Sequence, residues 1–213
     1  MKRKYIFIII LNAVAFGIYS CQDTAVGDTN PPGQVTNVEF TPQYGGGYFT
    51  YTIPSDADFL YTRAEYTIDT GVKISKTSSV YSDTLFIEGF GQQKEYEVQI
   101  FSVDRNNNHS SPVIMKVTPL EPTTLAVLET VQVQPGFSSL VVDWENDQRK
   151  NITIYVNVTV GETEATKIYA SNLANDRFMI DNLEGLPHSV NVYIRDTYEN
   201  QTQTREFGQI TPL

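Results

Sequence analysis

Y-E-V-Q-I-F-S-V-D at 96–104 and H-S-V-N-V-Y-I-R-D at 188–196 share one build: apolar side chains at alternate positions and an aspartate at the end. Period-2 alternation puts Val98 and Ile100 on one face of a strand, and Val190, Val192 and Ile194 on the matching face of another. The likeness extends outward. Tyr51 and Trp144 lie 93 residues apart, as do Asp83 and Asp176, and V-T-P-L at 117–120 returns 93 residues later as I-T-P-L at 210–213. Three coincident spacings indicate an internal duplication. Leu140, Val142 and Trp144 alternate with polar residues, and so do Ile152, Ile154, Val156 and Val158. Turn signals G-G-G (45–47), P-S-D (54–56) and N-N-N (106–108) cut each copy into short strands. The expected fold class is therefore all-β, two tandem antiparallel sandwiches. Composition agrees: 13 Tyr and 11 Phe among many Thr, Val and Ile suit pleated sheets, and 40% hydrophobic content excludes wholesale disorder.

Ahead of the duplication, Lys2, Arg3 and Lys4 lead into the apolar run Tyr5 to Ile18, in which only Asn12 is strongly polar. A basic n-region followed by an apolar h-region reads as a signal peptide. The run is short for a membrane-spanning helix, which needs about 20 apolar residues. Ile18, Tyr19, Ser20 and Cys21 resemble a bacterial lipobox, with an aliphatic residue three before the cysteine and a small one directly before it. Cys21 is the only cysteine, and an unpaired thiol in an exported protein is an oxidation liability unless it is lipidated. A signal peptide cleaved nearby with an incidental cysteine is the alternative. Gln22 to Gly33 have the composition of a tether, rich in Asp, Thr, Gly and Pro. The expected organisation is a signal peptide over 1–20, lipidated Cys21 and tether over 21–33, a first sandwich over 34–120 and a second over 121–213.

Charge narrows the partners. Fifteen basic residues against 25 acidic ones give a net charge of −10, which repels a phosphate backbone, so no nucleic-acid partner is expected. Cleavage before Cys21 removes three basic residues and makes the body more acidic still. Attachment to a membrane would then rest on acyl chains rather than on attraction to anionic headgroups. One cysteine allows no internal disulfide, and two histidines leave a zinc site to be built largely from carboxylates, so neither a metal nor another cofactor is expected.

A proline-led first strand (Pro32 to Phe40), an aromatic in the second strand (Tyr51, Trp144), I-E-G-F (87–90) or I-D-N-L (180–183) at a strand crossing, and then Tyr96 resemble fibronectin type III modules. The resemblance makes Tyr96 a tyrosine corner, its hydroxyl bonded back to upstream backbone, with His188 filling that place in the second copy. P-x-x-V-T-N-V-E-F, Y-T-I-P, I-E-G-F-G and V-D-R-N-N-N-H-S further resemble the N-terminal domain of a Bacteroidales lipoprotein family encoded beside polysaccharide-utilisation genes. In that family two such sandwiches are usually followed by a discoidin-type, galactose-binding-like domain, which is expected to be absent here because the sequence ends at Leu213. The resemblance implies a surface lipoprotein associated with glycan capture. By the same family's habits, Thr24 in D-T-A (23–25) resembles a short O-glycosylation signal.

Motifs for chemistry are missing: the sequence holds no G-x-S-x-G elbow, H-E-x-x-H pair, phosphate-binding loop or dinucleotide fingerprint. Gly89-Phe90-Gly91 falls at a strand crossing, and His109 sits in a polar turn where a solvated ring is the ordinary state. A non-catalytic protein is expected; a hydrolase would need two converging carboxylates. The loops Asp104 to Ser110 and Asp196 to Thr202 share Asp, then Asn four on, then Ser or Thr, a pattern that suits Asx turns better than a six-ligand calcium cage. Alternation turns Tyr155 and Tyr193 outward on neighbouring strands, and with Tyr169 they are expected to form an exposed aromatic strip, with Tyr61 and Phe101 as a comparable pair in the first copy. Such a strip serves either as a polysaccharide platform or as a docking surface for a partner protein or domain. A purely structural module without glycan binding is the competing reading.

Overall fold

In the computed structural model, which describes residues 29–213, the alternation becomes sheet geometry. The expected signal peptide, Cys21 and Thr24 lie outside the described residues. In the first sandwich, β1 (Thr36–Gln43), β2 (Gly46–Thr52) and β5 (Thr84–Glu88) make one sheet in the order β1-β2-β5. Facing it are β3 (Phe59–Thr67), β4 (Lys73–Ser79), β6 (Tyr96–Asp104) and β7 (Val113–Val117), in the order β4-β3-β6-β7. The second sandwich repeats the plan. Its sheet β12-β9-β8 comes from β8 (Gln132–Gly136), β9 (Ser139–Glu145) and β12 (Asn175–Asp181), and its sheet β11-β10-β13-β14 from β10 (Ile152–Val160), β11 (Thr163–Ser171), β13 (His188–Asp196) and β14 (Arg205–Ile210). Strands within every sheet pair antiparallel.

Each sandwich has its own core. Phe49, Leu85, Ile87, Val98 and Ile100 fill the first, and Leu140, Val142, Ile154, Val156, Val190, Val192 and Ile194 fill the second, all almost fully buried. The 93-residue spacings now have a structural meaning. Tyr51 N–H donates to the Asp83 carbonyl at 3.0 Å, and Trp144 stands opposite Asp176, so both pairs mark the same junction of two strands in one sheet. Trp144, 2% exposed, meets Tyr169 and Phe178 edge-on at 5.6 and 6.0 Å.

The corner is present twice with different chemistry. Tyr96 Oη lies 3.1 Å from the Gln92 carbonyl and 2.5 Å from Asp69 Oδ2, and His188 Nε2 lies 3.0 Å from the Glu184 carbonyl. Both rings are buried and both reach the backbone four residues upstream. Burial and the neighbouring Asp69 carboxylate push the Tyr96 hydroxyl's pKa up.

One element departs from the expectation of strands alone. Between β7 and β8 a helix, α1 (Thr123–Thr130), begins directly after Pro122, whose missing N–H costs nothing at a helix start. It buries Val127 and Leu128, so the segment contributes to the second core before that sandwich's first strand begins. Arg205 from β14 donates to the Leu128 and Glu129 carbonyls at 2.7 and 3.0 Å, satisfying acceptors that a helix C-terminus otherwise leaves open.

Candidate functional site

Two surfaces carry side-chain arrangements that the sandwiches do not need for their own cores. The first is the joint between them. The crossing from β5 to β6 in the first sandwich carries I-E-G-F-G (87–91), and the loop from β13 to β14 of the second lies on it. Asn200 Nδ2 donates to the Gly89 carbonyl at 2.9 Å, and the Tyr198 ring packs against the first core. Both glycines are required there. A Cβ on Gly89 would come within 2.9 Å of the Tyr198 ring, and one on Gly91 within 2.5 Å of Asn200 Oδ1; Gly89 also has φ +100°, which L side chains avoid. The corresponding positions of the second copy hold Asn182 and Glu184.

Charge closes the joint. Glu88 Oε1 accepts from Tyr198 Oη at 2.9 Å and from Lys76 Nζ at 3.1 Å, Glu88 Oε2 accepts from Lys150 Nζ at 3.0 Å, and Lys76 also donates to Tyr198 Oη at 3.0 Å. Burial alone would raise the Glu88 pKa, but the bonds from Lys150, Tyr198 and Lys76 outweigh it and bring the carboxyl down to about 2. Burial raises Tyr198, and the bonds from Lys76 only partly offset it. Behind the network the Gly45 carbonyl accepts the N–H groups of Gly89 and Phe90 at 3.0 and 3.1 Å, while Gly45 N–H donates to the Glu121 carbonyl of the linker. A cleft of about 120 Å3 remains beside it, walled by Tyr44, Phe90, Lys150 and Tyr198.

Asp104 and Asp196 explain the shared loop pattern. Asp196 Oδ1 accepts from the N–H groups of Tyr198 and Asn200 at 2.8 and 3.0 Å, and Oδ2 from Asn200 Nδ2 at 2.9 Å. Asp104 makes the same three bonds to Asn106 and Asn108, each 2.8 Å. Both carboxylates are thus taken up by their own turns, with Asn107 and Glu199 at φ 64°. Among the described residues no group of three or more His, Cys, Asp or Glu side chains is placed to hold a metal ion.

The second surface is the outer face of the sheet β11-β10-β13-β14. Tyr155 and Tyr193 are directly opposite across β10 and β13, half-buried, and their rings stack on each other at 4.6 Å with 5° between planes. Facing positions of antiparallel strands bring Cβ atoms close enough for this. Two expectations need correction. Tyr169 does not join the strip: it faces Ile154 in the register and points inward, stacking on Phe178 at 5.1 Å beside Trp144, while exposed Ile168 takes the outward place next to Tyr155. In the first copy Tyr61 is not the ring partner of Phe101. Tyr61 faces Val103, and Phe101, 8% exposed, is covered by the Arg63 guanidinium at 5.2 Å and by the His109 ring edge at 5.5 Å. Both errors arose because alternation gives a face but not a register between strands.

Sequence reading passed over Lys76, Glu88, Lys150, Tyr198 and Asn200. The available signal was an asymmetry: glycines at 89 and 91 without counterparts in the second copy, and Tyr198 where the first copy has Asn106.

Three strands facing four, in the order seen twice here, define a tandem fibronectin type III-like protein. Residues 32–119 match the profile of a domain of unknown function, DUF4959, and residues 120–213 match that of another, DUF5126. Among solved structures, a SusE-like protein matches at 24% identity with TM-score 0.38, covering 43% of this chain and 32% of its own. The chain thus spans about a third of that protein's length. A two-module fibronectin type III segment of chicken tenascin matches at 16% identity with TM-score 0.39, covering 84% of this chain and 99% of its own. The central fibronectin-III array of a RIM-binding protein matches at 16% identity with TM-score 0.35, covering 87% and 64%. No curated protein matches the chain.

Proposed function

We propose that the chain acts without catalysis, as a lipid-anchored spacer and binding scaffold at the outer membrane, associated with polysaccharide capture. The observation that carries the spacer reading is the joint: two independent cores are bridged by Tyr198, Asn200, Glu88, Lys76 and Lys150, with two glycines making room for the contact. Modules strung on a bare linker reorient freely, whereas a docked loop with a half-buried charge network holds a fixed geometry. Anchoring is supported by the lipobox-like I-Y-S-C (18–21), and the association with glycans by the resemblance to lipoproteins of polysaccharide-utilisation loci.

The test has two arms. Spin labels at exposed Glu39 and Gln209, introduced as cysteines in a Cys21→Ala background, are expected to give one narrow distance distribution. A broad distribution removes the spacer. Membrane fractionation of cells expressing wild type and Cys21→Ala is expected to move the protein from the membrane to the soluble fraction, and an unchanged distribution refutes lipid anchoring.

A further inference from the structure

The outer face of the second sandwich differs from that of the first along one row of residues. In the second, Ala170, Thr153 and Arg195 lie side by side across β11, β10 and β13, next to the row Ile168, Tyr155 and Tyr193. The first sandwich has Ser79, Tyr61 and Val103 in the corresponding row, next to Thr77, Arg63 and Phe101. Bulky Tyr61 therefore stands where the second copy has Thr153, and Arg63 over Phe101 stands where it has Tyr155 stacked on Tyr193. Small side chains at Thr153 and Ala170, set between taller neighbours, leave a groove of about 470 Å3 that Tyr155, Arg195, Asn151 and Asn172 also line. That is within the usual size range of ligand sites.

We propose that this groove binds a neutral saccharide, a reading that rests on the association with polysaccharide proposed above and names its site. A pyranose presents an apolar C–H face and a rim of hydroxyls, so it needs an aromatic surface beside fixed hydrogen-bonding groups. The groove offers both. Tyr155 is held in place by its stack on Tyr193, which removes rotamer freedom before any ligand arrives. The Arg195 guanidinium lies over the Tyr155 ring, 5.3 Å from its centroid, with its terminal nitrogens donating to Glu199 Oε2 at 3.1 Å and Gln201 Oε1 at 2.7 Å, so a sugar would meet the rest of the ring surface together with these fixed polar groups. Asn151, Asn172 and Thr153 add amide and hydroxyl groups along the same walls. The ligand is neutral because Glu199 already balances the Arg195 charge and the chain as a whole carries −10.

The experiment is isothermal titration of the full chain, solubilised in detergent, with a neutral β-glucan, a neutral mannan, a neutral xylan and acidic polygalacturonate. At least one neutral polymer is expected to bind and polygalacturonate not to. Thr153→Tyr, which installs the first copy's side chain, is expected to abolish binding, and Ala170→Tyr fills the groove from an exposed position on the neighbouring strand should Thr153→Tyr not fold. Tyr155→Ala is expected to weaken binding on the order of tenfold. Tyr61→Thr, made in the other sandwich, is expected to leave it unchanged. Failure of every neutral polymer to bind, preference for polygalacturonate, or wild-type binding by folded Thr153→Tyr or Ala170→Tyr overturns the proposal. Membrane retention of the wild-type chain separates the two readings: retention without binding of any neutral polymer overturns the groove alone, and binding without retention overturns the anchored scaffold alone.

Discussion

Replacing Glu88 by Gln keeps the shape of the joint and removes the carboxylate that Lys76 and Lys150 share. The Glu88 pKa falls from an ordinary 4.5 to about 2 because bonds from Lys150, Tyr198 and Lys76 outweigh the burial that would raise it. At about 1.4 kcal/mol per pH unit that difference sets a ceiling of about 3.5 kcal/mol. The Glu88 side chain is 39% exposed and both lysines are partly in water, so screening brings the expected loss for Glu88→Gln down to about 1 kcal/mol. The sign in pH follows from the lowered pKa. Folding favours the ionised carboxyl, so the contribution is fully present above pH 4.5 and disappears as pH falls through about 2. Urea unfolding of wild type and Glu88→Gln, followed by circular dichroism between pH 7 and pH 2, should therefore show a gap that is constant down to about pH 5, shrinks below it, and narrows in about 1 M salt. The fluorescence of Trp144 provides a second readout. It sits in the sandwich that does not contain Glu88, so a joint that couples the modules should transmit the loss to it. A gap of the same size at pH 2.5 and pH 7, or none at pH 7, would refute the charge network as the source of stability.

The remaining predictions concern packing. Trp144→Ala removes the largest ring of the second core and is expected to cost roughly 3 to 5 kcal/mol in urea titration; a loss below about 1 kcal/mol would mean that β9 is misregistered. Gly91→Ala forces a Cβ to 2.5 Å from Asn200 Oδ1 without touching either core, so it should broaden the distance between spin labels on the two modules while leaving circular dichroism intact. An unbroadened distribution would show that the loop yields.

Alternation is a property of consecutive residues, and it was enough to give the class of the fold. Val98 and Ile100, and Val190, Val192 and Ile194, declare their inward faces in the sequence, and the 93-residue spacings declare that the unit occurs twice. The corner at Tyr96 and its replacement by His188 were legible through the resemblance to fibronectin type III modules, and each bond is local, spanning four residues. Helix α1 was missed because eight residues are too few for a helical period to stand out among strands.

What the sequence could not supply was register and docking. Whether Tyr169 or Ile168 stands beside Tyr155 depends on a pairing between β10 and β11 that shifts every side chain to the other face if it slips by one residue. The groove beside Tyr155 depends on three strands presenting Ala170, Thr153 and Arg195 in one row. The joint depends on Asn200 meeting Gly89 across 111 residues of chain and Tyr198 meeting Glu88 across 110. No local pattern records such meetings, because they are fixed by how two finished sandwiches pack. Side-chain faces were thus determined by the sequence along each strand, and the joint and the groove were decided only when the strands and modules came together.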